Sequence, residues 1–324
     1  MRIFRDWRNV PSEGRGAIVA IGNFDGVHLG HQAVISSAHA ISRDAGLPLG
    51  VLTFEPHPRT VLGHSTGQFR LTPFRVKLRE IAALGVDILY LARFDIEFAS
   101  LTADRFIGDL LISGLCVSHV VVGYDFAFGK GRKGNYSLLK RYADKGFFQV
   151  TQVDVSRSDL GIYSASQARD FLNSGDVVSA SGILGRLWEI EGRVQTGERR
   201  GRELGFPTAN LAVSESMLPA FGVYAMWVEI EQGEGAQWWP AVGNLGCRPT
   251  FEQSEIILEV HILDFSQDIY GKRLRTRFVQ YIRPEQRFKG LEALKGQITK
   301  DIAKARKILK ISTRPDANSS MIKY

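Results

Sequence analysis

Two stretches of this chain gather groups suited to phosphate chemistry. The first reads Gly22-Asn23-Phe24-Asp25-Gly26-Val27-His28-Leu29-Gly30-His31 and lies between an apolar run and a helical pattern. Glycines there let the backbone come close to a phosphate, and a helix start favours negative charge. His28 and His31 are three apart, so both face one side of the first helical turn. Two imidazoles in that position would stabilise charge on a pentacovalent phosphorus and on a departing pyrophosphate. Two other uses stay open. A zinc ion would want further Cys, His or carboxylate ligands, of which the sequence shows no clear set. A plain helix cap needs no ligand. The stretch is not G-x-G-x-x-G, and it is not a P-loop. The nearest imitation of a P-loop, residues 123–130, has one residue too many and is followed by Gly131 where Ser or Thr belongs.

The second stretch reads Gly201-Arg202-Glu203-Leu204-Gly205-Phe206-Pro207-Thr208-Ala209-Asn210. Pro207 fixes its own φ and restricts Phe206. Thr208 and Asn210 alternate onto one side of an extended segment and offer oxygens to a hard cation. Mg²⁺ commonly takes few protein ligands plus the phosphates of a nucleotide. A turn whose side chains bond their own backbone is the other reading. Glu259 interrupts an apolar strand pattern, where a charge wants either a purpose or a partner. A strand residue facing solvent is its plain alternative.

The elements that must hold these groups follow from periodicity. Apolar runs over 17–21, 49–54, 86–91, 119–123 and 147–153 read as strands. Helical spacing over 32–45, 73–84, 102–115 and 136–144 separates them, with Pro73 suited to a first turn and Thr102 to a cap. That alternation predicts a Rossmann-like α/β domain with a parallel sheet, over 1–185. In such sheets ligands bind beyond the carboxyl ends of the strands. Residues 164–185 read as helical and as the link between domains. Strand patterns over 188–195, 223–231, 237–242, 256–263 and 275–282 then predict a small antiparallel Greek-key barrel over 186–310. A helix over 290–309 packs on it, and a polar, disordered tail follows over 311–324.

The length, 324 residues, suits two domains. The net charge of +7 suits phosphorylated metabolites, nucleic acid or anionic lipid without choosing among them. Cys116 and Cys247 form no CxxC pair, which argues against a zinc ribbon and for free thiols in a reducing compartment. Residues 1–10 lack the apolar region of a signal peptide, and no run approaches a membrane span. The chain reads as cytoplasmic.

Several blocks together resemble the bacterial bifunctional riboflavin kinase/FAD synthetase family. GNFDGVHLGH is similar to its nucleotidyltransferase signature. Phe54-Glu55-Pro56-His57-Pro58, Arg70-Leu71-Thr72 and the VVGYDFAFG block that contains Asp125 follow in family order. Ser164-Ala165-Ser166-Gln167-Ala168-Arg169 stands where the family carries an SSTxIR-like motif, with Ala165, Ser166 and Ala168 as departures and Arg169 retained. Pro207-Thr208-Ala209-Asn210 resembles the PTAN motif of riboflavin kinases. It has companions in NLGCRPTF from Asn244, LEVHILDF around Glu259, Tyr270-Gly271-Lys272 and IRPEQRF from Ile282.

The resemblance implies two reactions: ATP-dependent phosphorylation of riboflavin to FMN, then adenylylation of FMN to FAD with release of pyrophosphate. It implies that His28 and His31 meet the α-phosphate of ATP, that Arg169 clamps phosphate oxygens, and that Gly22, Asn23, Phe24, Asp25, Gly26, His57, Asp125, Ser164 and Ser166 bind ATP or FMN. In the kinase it implies Glu259 as base, Mg²⁺ on Thr208 and Asn210, and Gly201, Arg202, Gly205, Phe206, Pro207 and Lys272 around ATP and riboflavin. The expected partners are riboflavin, FMN, ATP, FAD and pyrophosphate, with neither nucleic acid nor membrane. Two alternatives remain: a kinase with an inactive N-terminal domain, and a basic RNA-binding regulator. The sequence carries no RNP-like motif for the second.

Overall fold

The computed structural model describes residues 1–63, 68–154, 157–158, 161–196, 201, 204–213, 215–231, 237–249 and 254–315. The chain divides into two compact units: Met1–Gly67 with Thr72–Ala165, and Gln68–Leu71 with Ser166–Tyr324.

The first unit is built on a six-stranded parallel sheet. In chain order the strands are β1 (Arg2–Phe4), β2 (Ile18–Ile21), β3 (Leu49–Glu55), β4 (Ile88–Arg93), β5 (His119–Gly123) and β6 (Gln149–Val153), arranged β1-β4-β3-β2-β5-β6. Every residue of β2 and the first six of β3 are buried, as expected for a sheet covered on both faces. The helices are α1 (Leu29–Ala45), α2 (Pro58–Val61), α3 (Phe74–Ala83), α4 (Ile96–Ala99), α5 (Ala103–Arg105) and α6 (Tyr136–Ala143). The chain leaves β2 toward β3 and β4 on one side and returns to β5 on the other. The strand order therefore reverses between β2 and β5, the place where open α/β sheets form a crevice. Ile18 pairs with His119 and Ala20 with Val121, so the loops after β2 and β5 emerge side by side.

Three local readings change. β1 was not expected; its three residues, Arg2-Ile3-Phe4, are too few to carry a strand signal, and it forms by pairing with β4. Pro73 precedes α3 as its N-cap rather than entering the first turn. The helix expected over 102–115 is α5 followed by a π-helical segment, Phe106–Gly114, with Leu115 N–H bonded to the Leu110 carbonyl at 2.9 Å. Gly114 packs closely here: a Cβ on it would sit 2.7 Å from the Trp7 carbonyl.

A short hairpin, β7 (Arg157–Ser158) and β8 (Gly161–Ile162), precedes α7 (Ala165–Asn173) and α8 (Val177–Leu184). α8 packs against the last strand of the second sheet. That sheet is a closed antiparallel barrel of β9 (Glu189–Gln195), β10 (Ala209–Ala212), β11 (Gly222–Ile230), β12 (Trp238–Pro249), β13 (Ser254–Ile262) and β14 (Arg273–Arg283), ordered β10-β13-β12-β11-β14-β9. Both expected architectures are present, the terminal helix included. β10 was not read as a strand; it is four residues long and exists through its pairing with β13 and β9. Residues 316–324 of the expected tail lie outside the described residues.

The C-terminal helix, Leu291–Ile311, sets Ala305 and Leu309 into a cluster with Val223, Trp227, Trp238 and Ile282. Polar groups fix its rotation. Asp301, buried on the helix, accepts from Arg283 Nη2 at 2.7 Å and from Nε at 3.0 Å. Among the described residues no helix is long and apolar enough to cross a membrane. Asp301→Ala is expected to destabilise the second unit by about 3–5 kcal/mol, because Arg283 is left as a largely buried charge without its partner, read from the midpoint of its urea-unfolding transition.

Candidate active sites

In the first unit the loop after β2 is turned tightly. Phe24, Gly26 and Val27 all have positive φ, at 51°, 86° and 41°. Backbone N–H groups in such turns converge on concavities that bind anions. Thr72 holds the loop from the side. Its N–H donates to Asp25 Oδ1 at 3.1 Å, and its Oγ1 accepts from Gly26 N–H at 2.9 Å. Asp25 is buried and faces this clamp rather than solvent.

His28 is the N-cap of α1, with Nδ1 accepting from His31 N–H at 3.3 Å. The two imidazoles stack with centroids 3.6 Å apart and 23° between planes, and Phe24 meets His31 edge-on at 5.2 Å. Capping and a paired-imidazole surface therefore coexist. A Cβ on Gly30 would lie 3.0 Å from the Tyr163 carbonyl and 3.1 Å from the His28 ring, so a side chain there crowds both. The same approach brings Tyr163, and Ser164 after it, against the helix start.

The other expected residues divide. Asp125 is exposed just beyond the end of β5, across the crevice from Gly22 and the exposed Asn23. His57 is buried and caps α2, its Nδ1 accepting from Arg59 N–H at 3.1 Å. Ser166 and Arg169 belong to the second unit; Arg169 Nε donates to the Phe69 carbonyl at 2.8 Å. Among the described residues no three His, Cys, Asp or Glu side chains gather as a metal site.

In the second unit a cavity of about 350 Å³ opens beside β10 and β13, lined by Thr208, Asn210, Val260, Ile262, Phe265 and Tyr270 among others. The turn leading into β10 is closed by Phe206 N–H on the Gly201 carbonyl at 2.8 Å. A Cβ on Gly201 would stand 2.5 Å from the Phe206 carbonyl, so this turn excludes any other residue. His261 Nδ1 lies 2.8 Å from the Pro207 carbonyl and its ring meets Phe206 edge-on, tying the turn to β13. Gly205 is exposed in the same turn with φ 86°. Arg202 lies outside the described residues.

Register sets the polar row. Asn210 on β10 stands opposite Glu259 on β13, and Glu259 stands opposite Asn244 on β12. Directly opposed residues point to the same face, so the three side chains share one face and Val260 and Ile262 take the other. Glu259 is half-buried, and its neighbours Leu258 and Val260 are buried on the opposite, interior face of the strand. Asn210 is buried, and among the described residues its Oδ1 has no hydrogen-bond partner. Lys272 is half-buried and joins β9 through its carbonyl, which accepts from Val194 N–H at 2.9 Å. The cavity wall over 265–270 begins at Asp264, whose carboxyl hydrogen bonds from Arg306 hold below the usual carboxylate range.

Family models match the chain in two consecutive stretches: FAD synthetase over residues 10–166 and riboflavin kinase over 184–309. The bifunctional riboflavin kinase/FMN adenylyltransferase of Escherichia coli strain K12 is 39% identical over 97% of this chain and all of its own length. This chain belongs to the bifunctional riboflavin kinase/FMN adenylyltransferase family. The family enzyme of Listeria monocytogenes is 40% identical over 88% of this chain and 90% of its own, and that of Bacillus subtilis 39% over 90% and 92%. A crystal structure described as a macrolide-efflux protein of Streptococcus pneumoniae superimposes with a TM-score of 0.84 at 31% identity, covering 94% of this chain and 98% of its own.

For a member of this family, the residues that sequence reasoning left out are informative. Thr72 was noted only as part of a block, yet it is the clamp on the phosphate-side loop. Asn244, Val260, Ile262 and Phe265 were likewise noted only within blocks, and residues 266–269 escaped notice. The strand pattern around Glu259 held the signal, since alternation puts Val260 and Ile262 opposite Glu259. Thr72→Val is expected to cost about 1–3 kcal/mol, because it removes the Oγ1 that accepts from Gly26 N–H and donates to Asp25 Oδ1 at 3.3 Å; urea unfolding of the first unit measures it.

Proposed function

We propose that this chain converts riboflavin to FMN and FMN to FAD, with adenylyl transfer at the N-terminal site and phosphorylation at the C-terminal one. The observation that carries the reading is that each compact unit has its own polar site: the His28–His31 helix start in one, and the Thr208–Asn210 cavity edge beside Glu259 in the other. Incubation with riboflavin, ATP and Mg²⁺ tests it, with products separated by chromatography; FMN and then FAD are expected.

In adenylyl transfer the nucleophile is an oxygen of the FMN phosphate, already ionised. It attacks the α-phosphorus of ATP, and the bond to the β-phosphate oxygen breaks to release pyrophosphate. No base is needed. The chain's part is to hold the nucleotide in the crevice between the loops after β2 and β5, and to offer the imidazoles to developing charge. In this reading Gly22, Asn23, Phe24 and Gly26 shape the backbone against ATP, Asp25 keeps that shape, and Asp125 and Ser164 flank the crevice.

Phosphorylation differs, because the ribityl 5′-hydroxyl is a weak nucleophile. Glu259 takes its proton while the oxygen attacks the γ-phosphorus and ADP departs. The buried Oδ1 of Asn210 and the hydroxyl of Thr208 are hard oxygen donors that fit Mg²⁺. When bound, the ion supplies charge neutralisation on the β- and γ-phosphates. We place the protein in the cytoplasm, a setting in which the exposed free thiols Cys116 and Cys247 are stable.

The combined His28→Ala and His31→Ala variant is expected to stop FAD formation from FMN and leave FMN formation intact; loss of both activities in the folded protein contradicts separate sites. Glu259→Gln is expected to lower FMN formation by about 10²–10⁴-fold while FAD is still made from supplied FMN. A normal riboflavin-phosphorylation rate in that variant removes Glu259 as the base.

A further inference from the structure

Lys77 on α3 is 2% exposed, an unusual place for an ammonium group. Its Nζ lies 3.5 Å from the Asn23 carbonyl, 3.5 Å from Thr53 Oγ1, 3.4 Å from the Phe54 carbonyl and 3.4 Å from Glu55 Oε2. These acceptors come from the end of β3 and from the loop that follows β2. Glu55, whose side chain is 22% exposed, pairs with it in charge. The ammonium therefore sits beneath the loop that carries Phe24 to His28.

The Asn23 carbonyl also accepts from Thr53 Oγ1 at 3.1 Å. One peptide oxygen is thus held by a buried hydroxyl and faces a buried cation. In a trans peptide the C=O of one residue and the N–H of the next point in opposite directions. The Phe24 N–H consequently points away from Lys77, and among the described residues it donates to no carbonyl or side chain. A cation at the oxygen end of a peptide polarises the unit and strengthens its N–H as a donor.

We propose that Lys77 is a positioning residue for adenylyl transfer: through the Asn23–Phe24 peptide, it fixes and polarises a backbone donor aimed at an anionic oxygen of the nucleotide. The inference rests on the N-terminal site being the adenylyltransferase site. Lys77 touches neither substrate; it acts through the peptide bond it pins. The charge matters as well as the packing, since a methionine of similar length would fill the space and leave the carbonyl unpolarised.

The test uses the full-length protein and measures FAD formation from FMN and ATP, with riboflavin phosphorylation in the same chain as internal control. Lys77→Met is expected to lower kcat for FAD formation about ten- to a hundredfold, less than the about 10²–10³-fold cost of deleting a donor outright. KM for FMN and the rate of FMN formation should stay within about twofold of the parent, well inside that drop. Lys77→Arg should recover much of the rate, because it keeps the charge. A role in packing alone predicts the reverse order, with Met tolerated better than Arg. A folded Lys77→Met protein with unchanged kcat overturns the proposal. If Lys77→Met does not fold, Thr53→Val decides: it loosens the same carbonyl, so slowed FAD formation upholds the proposal and an unchanged rate overturns it. The His28→Ala, His31→Ala protein separates the two readings. Should it still make FAD, the site assignment has failed; should it stop while Lys77→Met does not, only the role of Lys77 has failed.

Discussion

A charge taken out of water has to be met by partners, and both units of this chain are organised around that demand. Removing one member of a buried pair costs about 3–5 kcal/mol, because the other is left uncompensated. Lys77 joins the end of β3 to the loop after β2. In the barrel, Glu189 is 2% exposed and accepts from Arg275 at 3.0 Å and Arg277 at 3.1 Å, and Arg275 also reaches Glu229. Arg283 and Asp301 join the last strand to the terminal helix. Each pair ties segments distant in sequence, so each penalises a wrong register as well as rewarding the right one.

The two sites answer different chemical needs with different architecture. A phosphate nucleophile asks for alignment and charge stabilisation, which a crevice at strand ends with a capped helix provides. A hydroxyl nucleophile also asks for a base, which has to stand close to the cation-binding oxygens. In the function proposed above, antiparallel register would do this directly, because it sets Glu259 across from Asn210 with no loop between them. A site carried on paired strands is held by the barrel's own hydrogen bonds. The first site depends instead on side chains that reach into its loop.

Much of this was legible in the residues, and what was not has definite causes. β2, α1 and β3 follow from an apolar run, a helical period and a second apolar run, all local signals. The histidine pair was legible because a helix start fixes the geometry of positions three apart. β1 and β10 were not, since a segment of three or four residues becomes a strand only when a distant partner pairs with it. The π-helical segment carries no local signal, and its Gly114 packs against Trp7, more than a hundred residues away in sequence. Lys77 ran against the pattern: in a helix with Val76, Leu78 and Ile81 buried, a lysine reads as solvated until β3 is laid beside it. The two pieces of the PTAN site were legible as oxygens, but the cavity beside them needed strand alternation and closure of the barrel.

The conformation of the loop after β2 follows from the same balance. Phe24 and Val27 both have positive φ, a costly region for a side-chain-bearing residue and most of all for a β-branched one. Such strain, of order 1–3 kcal/mol per residue, persists only where surroundings over-determine it. Here Thr72 fastens Asp25 and Gly26, Thr53 and Lys77 fasten Asn23, and the Phe24 ring is wedged between Gly22 and His31. Within this loop Val27 N–H is paired with the Phe24 carbonyl at 3.2 Å and Gly26 N–H with Thr72, while the Phe24 N–H donates to no carbonyl or side chain among the described residues. In the function proposed above, a donor so held would stay oriented before any ligand arrives, and charge forming on phosphorus would meet a dipole that needs no reorganisation. On that reading, the stability given up in those strained residues keeps the site ready for an anion.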